Sequence, residues 1–527
     1  MTAIINERQG ARPSTPQQRA ATVFLRDRFN AFDERWLVGH KGDHASNLHD
    51  LGIIGQRVHV AHVHSTLGVD ADRTYKPPEE TSDSYEGLLT GANPGLSGEV
   101  SRVRAAQMRV VVLMPFPNSD FEGMIARAKA GRYFVSTAPI ESFETFEPIE
   151  NKISFARILQ AALQGTPHTR NLIPWTIHQP HWGLDDVRRN MGVDPGSAIF
   201  FQKAISGGGD GTARVNDRSN FNELLSNPSW MQAARRGKLK ASMAVEGAYP
   251  ANGTGCIVPT PDGGCKVLVD PLSHKPVGLE SVGAKPGSGA GNDWGTPFPR
   301  AVTDQYIAMV SRLGKYFYTT FGYTGIFGPD GLVGADSTYR MTESNSRWQG
   351  TTPYQTQNAL MNGRLPIELI HYMVKLSVND SHLLGQVNDI VGDADSYNQR
   401  AFTERGGFYI KVGGPKTKKE VREDLNGPWR WDGDRLHRLK RDGYLTPMRI
   451  YTRDYAGAQD LTKDDKTVWI KAPKVGEVVG GGLVAVGYIT GSDINVFDAN
   501  KPEVTSDGHK LYTQMNQLMY SQRSSWK

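Results

Sequence analysis

The chain has 527 residues, of which 38% are hydrophobic, and its formal net charge is +5. Its mean hydropathy is −0.46, and no window carries eighteen uncharged apolar residues, which argues against a membrane-spanning helix. The modest net charge gives no reason to expect a nucleic-acid partner, and the length predicts about three domains. Residues 1–20 are polar, lack the apolar core of a secretory signal and are expected to form a flexible leader.

Three short runs in the first part of the chain predict strands: Arg35–Gly39, Arg57–Val63 and Met108–Met114. The last run is almost continuously apolar, as in a strand that is buried on both faces of a sheet. Helical segments separate these strands. The alternation predicts an α/β domain over residues 21–145.

Six of the fourteen histidines fall in a short stretch of this domain. The last three of them are spaced closely enough to bind a transition metal. Neither a cysteine nor a His-Glu-x-x-His pattern accompanies them, which favours ordinary loop and strand histidines. The six residues are His40, His44, His49, His59, His62 and His64.

The segment Ser197–Ile205 predicts a strand that opens directly into a glycine-rich run. Backbone N–H groups in such a run can approach an anion closely and surround phosphate oxygens, and Lys203 adds a positive charge. No Gly-Lys-Ser/Thr follows, so the run is not a Walker A loop, and no acidic partner supports a dinucleotide fingerprint. A flexible hairpin loop is the alternative. The glycines are Gly207, Gly208, Gly209 and Gly211.

Two further segments could contact a nucleotide. Lys152 follows Asn151 at the start of a predicted helix, where the helix dipole disfavours a lysine unless an anion binds there. Glu246 lies at the end of a predicted strand, Lys240–Val245, where an acidic side chain could bind an adenine or a ribose. The alternative for both residues is an ordinary solvent-exposed side chain.

The most informative residues are Asp330 and the segment Glu343-Ser-Asn-Ser-Arg347. Glu343, Asn345 and Arg347 alternate along a predicted strand, so their side chains share one face. Carboxylate and amide oxygens are ligands for hard divalent cations, and a guanidinium binds phosphate with a fork of donors. The alternative is a surface strand with solvated polar side chains.

Other segments predict structure rather than chemistry. Cys256 and Cys265 flank a turn sequence in a predicted hairpin, and they are expected to be reduced packing residues. Ala301–Phe317 has the apolar spacing of an amphipathic helix, and Pro366 is placed to begin another helix. Beyond Gly406 the chain is rich in glycine and in predicted strands, such as Val468-Trp-Ile-Lys and Gly482-Leu-Val-Ala-Val-Gly-Tyr-Ile, which predicts a separate β-rich C-terminal region over residues 400–527.

In chain order, these motifs resemble the ATP-grasp superfamily of carboxylate–amine ligases, over about residues 145–355. The resemblance implies an ATP-grasp fold of α/β (α+β) class, with the ATP-grasp domain over residues 146–399 between an α/β pre-ATP-grasp domain and the C-terminal region. It implies ATP and Mg²⁺, or Mn²⁺, as cofactors. The implied roles are phosphate contacts for Lys152, Lys203 and the glycine run, the nucleotide hinge for Glu246, metal ligands for Asp330, Glu343 and Asn345, and catalysis by Arg347 and Lys203.

A narrower likeness is to the pheganomycin-type peptide ligases, which also carry an extra C-terminal domain. It depends on Gly322-Tyr-Thr-Gly-Ile-Phe-Gly-x-Asp330 and on Glu343-x-Asn-x-Arg-Trp-x-Gly-Thr-Thr352. Two features depart from the family pattern. Pro329 directly precedes the metal aspartate, and Gly-Ala-Tyr follows Glu246 where an apolar pair is usual.

The resemblance implies a cytoplasmic enzyme that activates a carboxylate as an acyl phosphate and joins it to an amine, with an amino acid or small peptide as substrate. Small-molecule acids and amines are then the partners, without nucleic acid or membrane, and the histidine-rich stretch could contact the acyl substrate. A homodimer is the first expectation for the assembly. The alternatives are a carboxylase-type enzyme that uses bicarbonate and a non-catalytic nucleotide-binding regulator. No Met-Lys-Met signature of biotin attachment is present.

Overall fold

The structure is a computed structural model. It describes residues 15–30, 36–40, 53, 59–62, 109–112, 134–136, 142–206, 209, 211–279, 284, 287–402, 407–413, 419–422, 425, 427–438, 467–471, 475–476, 478–479, 483–489, 496, 498 and 504–520. None of the helices within these ranges is long and apolar enough to cross a membrane.

The first helix, α1 (Pro16–Asn30), begins before the predicted leader ends at residue 20. Its buried side chains, including Phe24 and Leu25, join a hydrophobic core with helices from the second half of the chain. Gln18 Nε2 donates a hydrogen bond to Arg364 O at 2.8 Å. The helix is therefore anchored to the body of the molecule.

A four-stranded parallel sheet follows α1 in the chain. Its spatial order is β2-β1-β3-β4, and each of the first three strands overlaps one of the three runs that the sequence predicts. This sheet confirms the expected α/β class of the N-terminal part. The strands are β1 (Trp36–His40), β2 (His59–His62), β3 (Arg109–Val112) and β4 (Phe134–Ser136).

Two helices lie in the chain between this sheet and a four-stranded antiparallel sheet, and the second begins where the sequence predicts. They are α2 (Phe143–Glu150) and α3 (Lys152–Leu163). Asn151 caps α3, because its Oδ1 accepts hydrogen bonds from Ile153 N and Ser154 N at 3.0 and 3.3 Å. The cap fixes where α3 begins, and therefore where Lys152 lies.

The antiparallel sheet has the order β5-β8-β6-β7, and three helices cover one face of it. Phe201 and Ala241 on this covered face are fully buried. The strands are β5 (Trp175–Ile177), β6 (Ile199–Lys203), β7 (Thr212–Val215) and β8 (Leu239–Met243). The helices are α4 (Leu184–Met191), α5 (Arg218–Ser226) and α6 (Pro228–Arg235).

A twelve-stranded sheet forms the centre of the molecule. Its first part packs against the long helix α7 (Arg300–Phe321), which contains the predicted amphipathic segment. The strands of this part are β9 (Tyr249–Asn252), β10 (Gly255–Pro259), β11 (Cys265–Val269), β12 (Ser273–His274), β13 (Gly291–Asp293), β14 (Gly325–Val333) and β15 (Tyr339–Asn345).

The register of the β10–β11 hairpin separates the two cysteines. Cys256 pairs with Leu268, and Cys265 pairs with Pro259. Both thiols are free, and burial raises the pKa of each thiol above its usual value. They are therefore packing residues rather than partners in a disulfide.

Four helices follow the β14–β15 hairpin, and the second begins directly after Pro366, as predicted. The last three of them pack with α1 against one side of the central sheet. They are α8 (Thr352–Met361), α9 (Ile367–Ser377), α10 (Ser381–Val391) and α11 (Ala394–Gln399).

The C-terminal region is rich in strands, as predicted, but it does not have a sheet entirely of its own. β16 (Phe408–Gly413) pairs with β13, so the C-terminal strands extend the central sheet. A final helix, α12 (Ser506–Tyr520), packs on this extension. The other strands are β17 (Lys419–Glu420), β18 (Gly427–Trp431), β19 (Leu436–Arg438), β20 (Thr467–Lys471), β21 (Val478–Val479) and β22 (Leu483–Ile489).

Gly325 begins β14, and we expect its replacement by alanine to destabilise the protein. Gly325 has φ +87°, which side chains rarely adopt, and a Cβ there would lie 2.2 Å from Nδ1 of the buried His371. That nitrogen accepts a hydrogen bond from Ile326 N at 3.0 Å. Strain and overpacking together should cost roughly 2–5 kcal/mol of unfolding free energy, measurable by denaturant melts. Gly263→Ala on the exposed hairpin turn shares a positive φ but has open space, so it should cost less.

Candidate active site

The β14–β15 hairpin, which carries the predicted metal ligands, borders a large cavity of about 1040 Å³. Strands β6 and β8, helix α3, the β14–β15 hairpin and the C-terminal strand β16 all contribute side chains to it. Apolar residues such as Leu159, Phe200 and Met243 line it together with nine ionisable residues. Six are cationic and three acidic: Lys152, Arg214, Lys240, Lys275, Arg347 and Lys411, with Glu150, Asp330 and Glu343.

The β14–β15 register places the predicted metal ligands side by side. Asp330 lies opposite Glu343, and Gly328 lies opposite Asn345. The buried Asp330 carboxylate accepts hydrogen bonds from Asn252 Nδ2 at 2.7 Å and from Asn345 Nδ2 at 3.2 Å. It also pairs with Lys275 Nζ at 2.9 Å. Burial raises the pKa of this carboxyl, but Lys275 and the hydrogen bonds outweigh burial and hold the pKa below its usual value.

Lys152 connects the start of α3 to this carboxylate pair. Its Nζ lies 3.3 Å from Glu343 Oε2 and donates a hydrogen bond to Ser206 O at 2.8 Å. Ser206 precedes the glycine-rich run. The Lys152 side chain is only 8% exposed, whereas Glu343 is 31% exposed and faces the cavity.

Arg347 lies beside the last predicted ligand. Its Nη2 donates to Asn345 Oδ1 at 2.7 Å, and its Nε lies 3.5 Å from Glu150 Oε1. Glu150 also accepts from Ser346 N at 2.7 Å. Burial raises the pKa of the Glu150 carboxyl, although Arg347 and Ser346 oppose the shift.

Three of the cavity's lysines were not singled out from the sequence. Lys240 on β8 is buried, and its Nζ donates to Gln202 Oε1 at 3.4 Å. Burial lowers the pKa of Lys240 to about 8, despite the nearby Glu343. Burial likewise lowers the pKa of Lys411 on β16 to about 8, with Lys275 adding to the effect. The cavity therefore concentrates positive charge, which suits a polyanionic ligand.

The donor set fits a hard divalent cation. Asp330, Glu343 and the amide oxygen of Asn345 are oxygen ligands of the kind that Mg²⁺ prefers. No group of three or more His, Cys, Asp or Glu residues among the described residues could hold a metal ion, and this set consists of two carboxylates and an amide. The described cavity lining includes neither histidine nor cysteine, the ligands typical of zinc.

No protein family model matches the chain, and no curated protein matches it. Solved structures do. The biotin carboxylase domain of Hydrogenobacter thermophilus 2-oxoglutarate carboxylase matches with a TM-score of 0.53 and 11% identity, over 87% of this chain and 86% of that one. Biotin carboxylase from Campylobacter jejuni matches with a TM-score of 0.52 and 13% identity, over 88% of this chain and 89% of that one.

An N5-carboxyaminoimidazole ribonucleotide synthetase, solved as an ADP complex, matches with a TM-score of 0.50 and 11% identity, over 91% of this chain and 96% of that one. These neighbours share the ATP-grasp architecture. The chain has the ATP-grasp fold. At these identities the likeness concerns the fold alone.

In this ATP-grasp structure, Lys203 is not among the residues that line the cavity. It is the last residue of β6, and its side chain points to the opposite face from Gln202, which lines the cavity. Lys203 Nζ donates to Ser229 Oγ at 2.6 Å and lies 4.8 Å from the centre of the Trp230 ring. Lys240, on the strand next to β6, presents its ammonium group to the cavity instead.

The predicted hinge residue Glu246 also differs from expectation. Its exposed side chain pairs with Arg214 at 2.7 Å, and the flanking residues Val245 and Gly247 line the cavity instead. Gly-Ala-Tyr follows Glu246 where the family pattern has an apolar pair, and at this point of the chain the Glu246 side chain faces solvent.

The glycine-rich run is partly described. Gly209 lines the cavity with φ +87°, and a Cβ there would lie 2.5 Å from the carbonyl carbon of Gly287. Gly211 has no room for a side chain either, because a Cβ would lie 2.2 Å from Ser206 Oγ. Gly207 and Gly208 lie outside the described residues.

The histidine-rich stretch remains a prediction. His40 and His62 are paired in register on neighbouring parallel strands, and His59 lies on the same strand as His62. His44, His49 and His64 lie outside the described residues.

Proposed function

We propose that the protein is an ATP- and Mg²⁺-dependent ligase that joins a carboxylate to an amine. The observation that supports this most strongly is that Asp330, Glu343, Asn345 and Arg347 meet Lys152 at one cavity of an ATP-grasp fold. The Hydrogenobacter domain was solved with magnesium ADP and bicarbonate, which supports the same cofactors here. Mn²⁺ would fit the same oxygen ligands.

The cavity offers a separate role to each group of residues. Asp330, Glu343 and Asn345 would hold the magnesium, which neutralises charge on the β- and γ-phosphates of ATP. Lys152 and Lys240 would contact the phosphates. The apolar residues would accept the adenine, and the backbone of the Gly209 loop would cover the phosphates. Closure over the nucleotide would exclude water from a reactive intermediate.

In the proposed reaction the carboxylate attacks the γ-phosphate and becomes an acyl phosphate. Arg347 would steady that group with its guanidinium fork. Lys275 and Lys411 offer ammonium groups to the anionic acid, since both line the cavity near Asp330. The amine then displaces phosphate and leaves an amide, ADP and phosphate.

Four more specific proposals extend this function, and those on the substrate and the family branch come from the resemblance of the sequence motifs to ATP-grasp ligases. An amino acid or small peptide as substrate, and membership of the pheganomycin-type branch, are proposals of this kind. So are the cytoplasmic location, which two free thiols favour, and a homodimer, the state in which the Hydrogenobacter domain was solved.

A carboxylase-type enzyme is the second candidate. It is favoured by the matched neighbours, among which are two biotin carboxylases. The third candidate, a regulator without turnover, is harder to reconcile with a complete set of metal-ligand types at the cavity.

ADP release distinguishes the three candidates. The purified protein would be assayed with ATP and Mg²⁺ against the twenty standard amino acids, simple carboxylic acids and bicarbonate, each with and without a panel of amines. We expect release that requires both an acid and an amine. Release with bicarbonate alone would favour the carboxylase, and nucleotide binding without release would favour the regulator.

A further inference from the structure

Glu150 is a cavity residue for which neither the metal nor the phosphates provide a role. It ends α2, directly before the Asn151 cap, and its side chain is 19% exposed. It is one of three acidic side chains that line the cavity in the described part of the chain. The other two, Asp330 and Glu343, already pair with Lys275 and Lys152.

The contacts of Glu150 leave one oxygen for a ligand. Within the described residues, Ser346 N at 2.7 Å, Ser346 Oγ at 3.1 Å and Arg347 Nε at 3.5 Å all approach Oε1. These contacts fix the carboxylate on the cavity wall beside Arg347. Oε2 accepts no hydrogen bond from any of the described residues.

An amine substrate reaches the enzyme as an ammonium ion, because alkylamines are protonated at neutral pH. It therefore needs a carboxylate for binding and a base for activation. The remaining ionisable side chains of the described cavity lining are cationic or paired with lysines. In the described cavity lining, Glu150 combines negative charge with an oxygen that accepts no hydrogen bond, and it lies next to Arg347.

We propose that Glu150 binds the ammonium group of the amine substrate through Oε2 and accepts its proton, beside the acyl phosphate held by Arg347. The inference rests on the proposed ligase function and specifies its second substrate as a cationic amine. Glu150 is then a catalytic residue, because it touches the reacting nitrogen.

The ammonium N–H bond breaks, and its proton moves to Glu150 Oε2. The nitrogen lone pair then forms a C–N bond with the acyl carbon, and the bond from that carbon to the phosphate oxygen breaks. Phosphate leaves with the electron pair and takes the second proton from nitrogen. Burial, which raises the pKa of Glu150, makes the carboxylate a stronger base for this transfer.

The test separates the two half-reactions in the Glu150→Gln variant. Glutamine keeps an oxygen acceptor for Ser346 N but removes the charge and the base. Hydroxylamine, a small nucleophile that is mostly unprotonated at neutral pH, would trap the acyl phosphate as a hydroxamate. We expect hydroxamate formation from the acid found in the ADP-release panel to stay within about threefold of wild type. Amide formation with the cognate amine should fall about 100-fold or more.

Glu144→Gln, an exposed glutamate on the same helix, is the matched control and should leave both reactions unchanged. Equal losses of hydroxamate and amide in Glu150→Gln would overturn the proposal, because they would show that Glu150 only positions Arg347. Unchanged amide formation would also overturn it. Hydroxamate formation itself shows that the variant is folded. If wild-type protein forms no acid-dependent ADP or hydroxamate, the ligase function fails, and this inference fails with it.

Discussion

Replacing Glu343 by glutamine should lower ligase turnover by roughly a thousandfold, because a metal ligand contributes several kcal/mol of charge stabilisation to the transition state. The carboxylate faces the cavity opposite Asp330. The amide of glutamine keeps the size of the side chain but binds a divalent cation more weakly. The measurement is kcat for ADP release at several Mg²⁺ concentrations, and the variant should need more Mg²⁺ for half-maximal activity.

The same substitution should leave the fold intact. Glu343 is 31% exposed, and its partner Lys152 keeps the hydrogen bond to Ser206 O. We therefore expect the thermal midpoint to change by only a few degrees. Glu223→Gln, on an exposed face of α5, is the matched control. Undiminished activity in Glu343→Gln would contradict the metal assignment.

Asp330→Asn would be a less clean test of the same site. Asp330 is buried and pairs with Lys275, whose side chain is only 27% exposed. Loss of the charge would leave this lysine without its carboxylate, which costs stability as well as activity. A fall in turnover would then mix unfolding with chemistry, whereas Glu343→Gln separates them.

The shared face of Glu343 and Asn345 could be predicted from sequence because polar residues alternate along this segment with the two-residue period of a strand. Alternation along one strand places Glu343 and Asn345 on one face, and the thirteen residues from Asp330 to Glu343 allow a hairpin in which they meet. The only irregularity is a register shift between Asp330 and Gly331. Local pattern thus determined the most important part of the site.

The same period explains why Lys203 lies away from the cavity. Consecutive strand residues face opposite sides of a sheet, so a lysine at the end of a strand faces the ligand or the covering helices according to a shift of one residue. The sequence places Lys203 beside a glycine run, but it does not show which face of the sheet the lysine side chain occupies. In the structure Gln202 faces the cavity, and Lys203 packs on Trp230.

Other cavity residues depend on pairings between distant parts of the chain. Lys275 meets Asp330 across 55 residues, and Lys411 arrives on a strand that the sequence assigned to a separate region. β16 brings Lys411 to the cavity because it pairs with β13 and extends the central sheet. Neither contact has a local signal, since strand order across a sheet is a tertiary property.

Lys240 should contribute strongly to the affinity for ADP, because its ammonium group lies at the cavity. Lys240→Met should weaken ADP binding by roughly 30-fold, about 2 kcal/mol, since a charge-assisted contact to phosphate is lost. Lys203→Met should change the affinity by less than about threefold, because an exposed contact with Ser229 contributes little. Isothermal titration at pH 7 measures both. A larger loss of ADP affinity in Lys203→Met than in Lys240→Met would show instead that Lys203 contacts the phosphates.

The pH dependence of binding gives an independent check on Lys240. Burial holds its pKa near 8, so the free protein carries this charge at pH 7 and loses it as the pH rises through 8. Bound phosphate would restore the higher pKa, so nucleotide binding should take up a proton above pH 8 and weaken between pH 7 and 9.5. Lys240→Arg stays charged over this range, which should flatten the Lys240 part of the profile. Lys411 has a similarly lowered pKa. Nucleotide binding by Lys411→Arg would measure how much of the remaining pH dependence comes from Lys411.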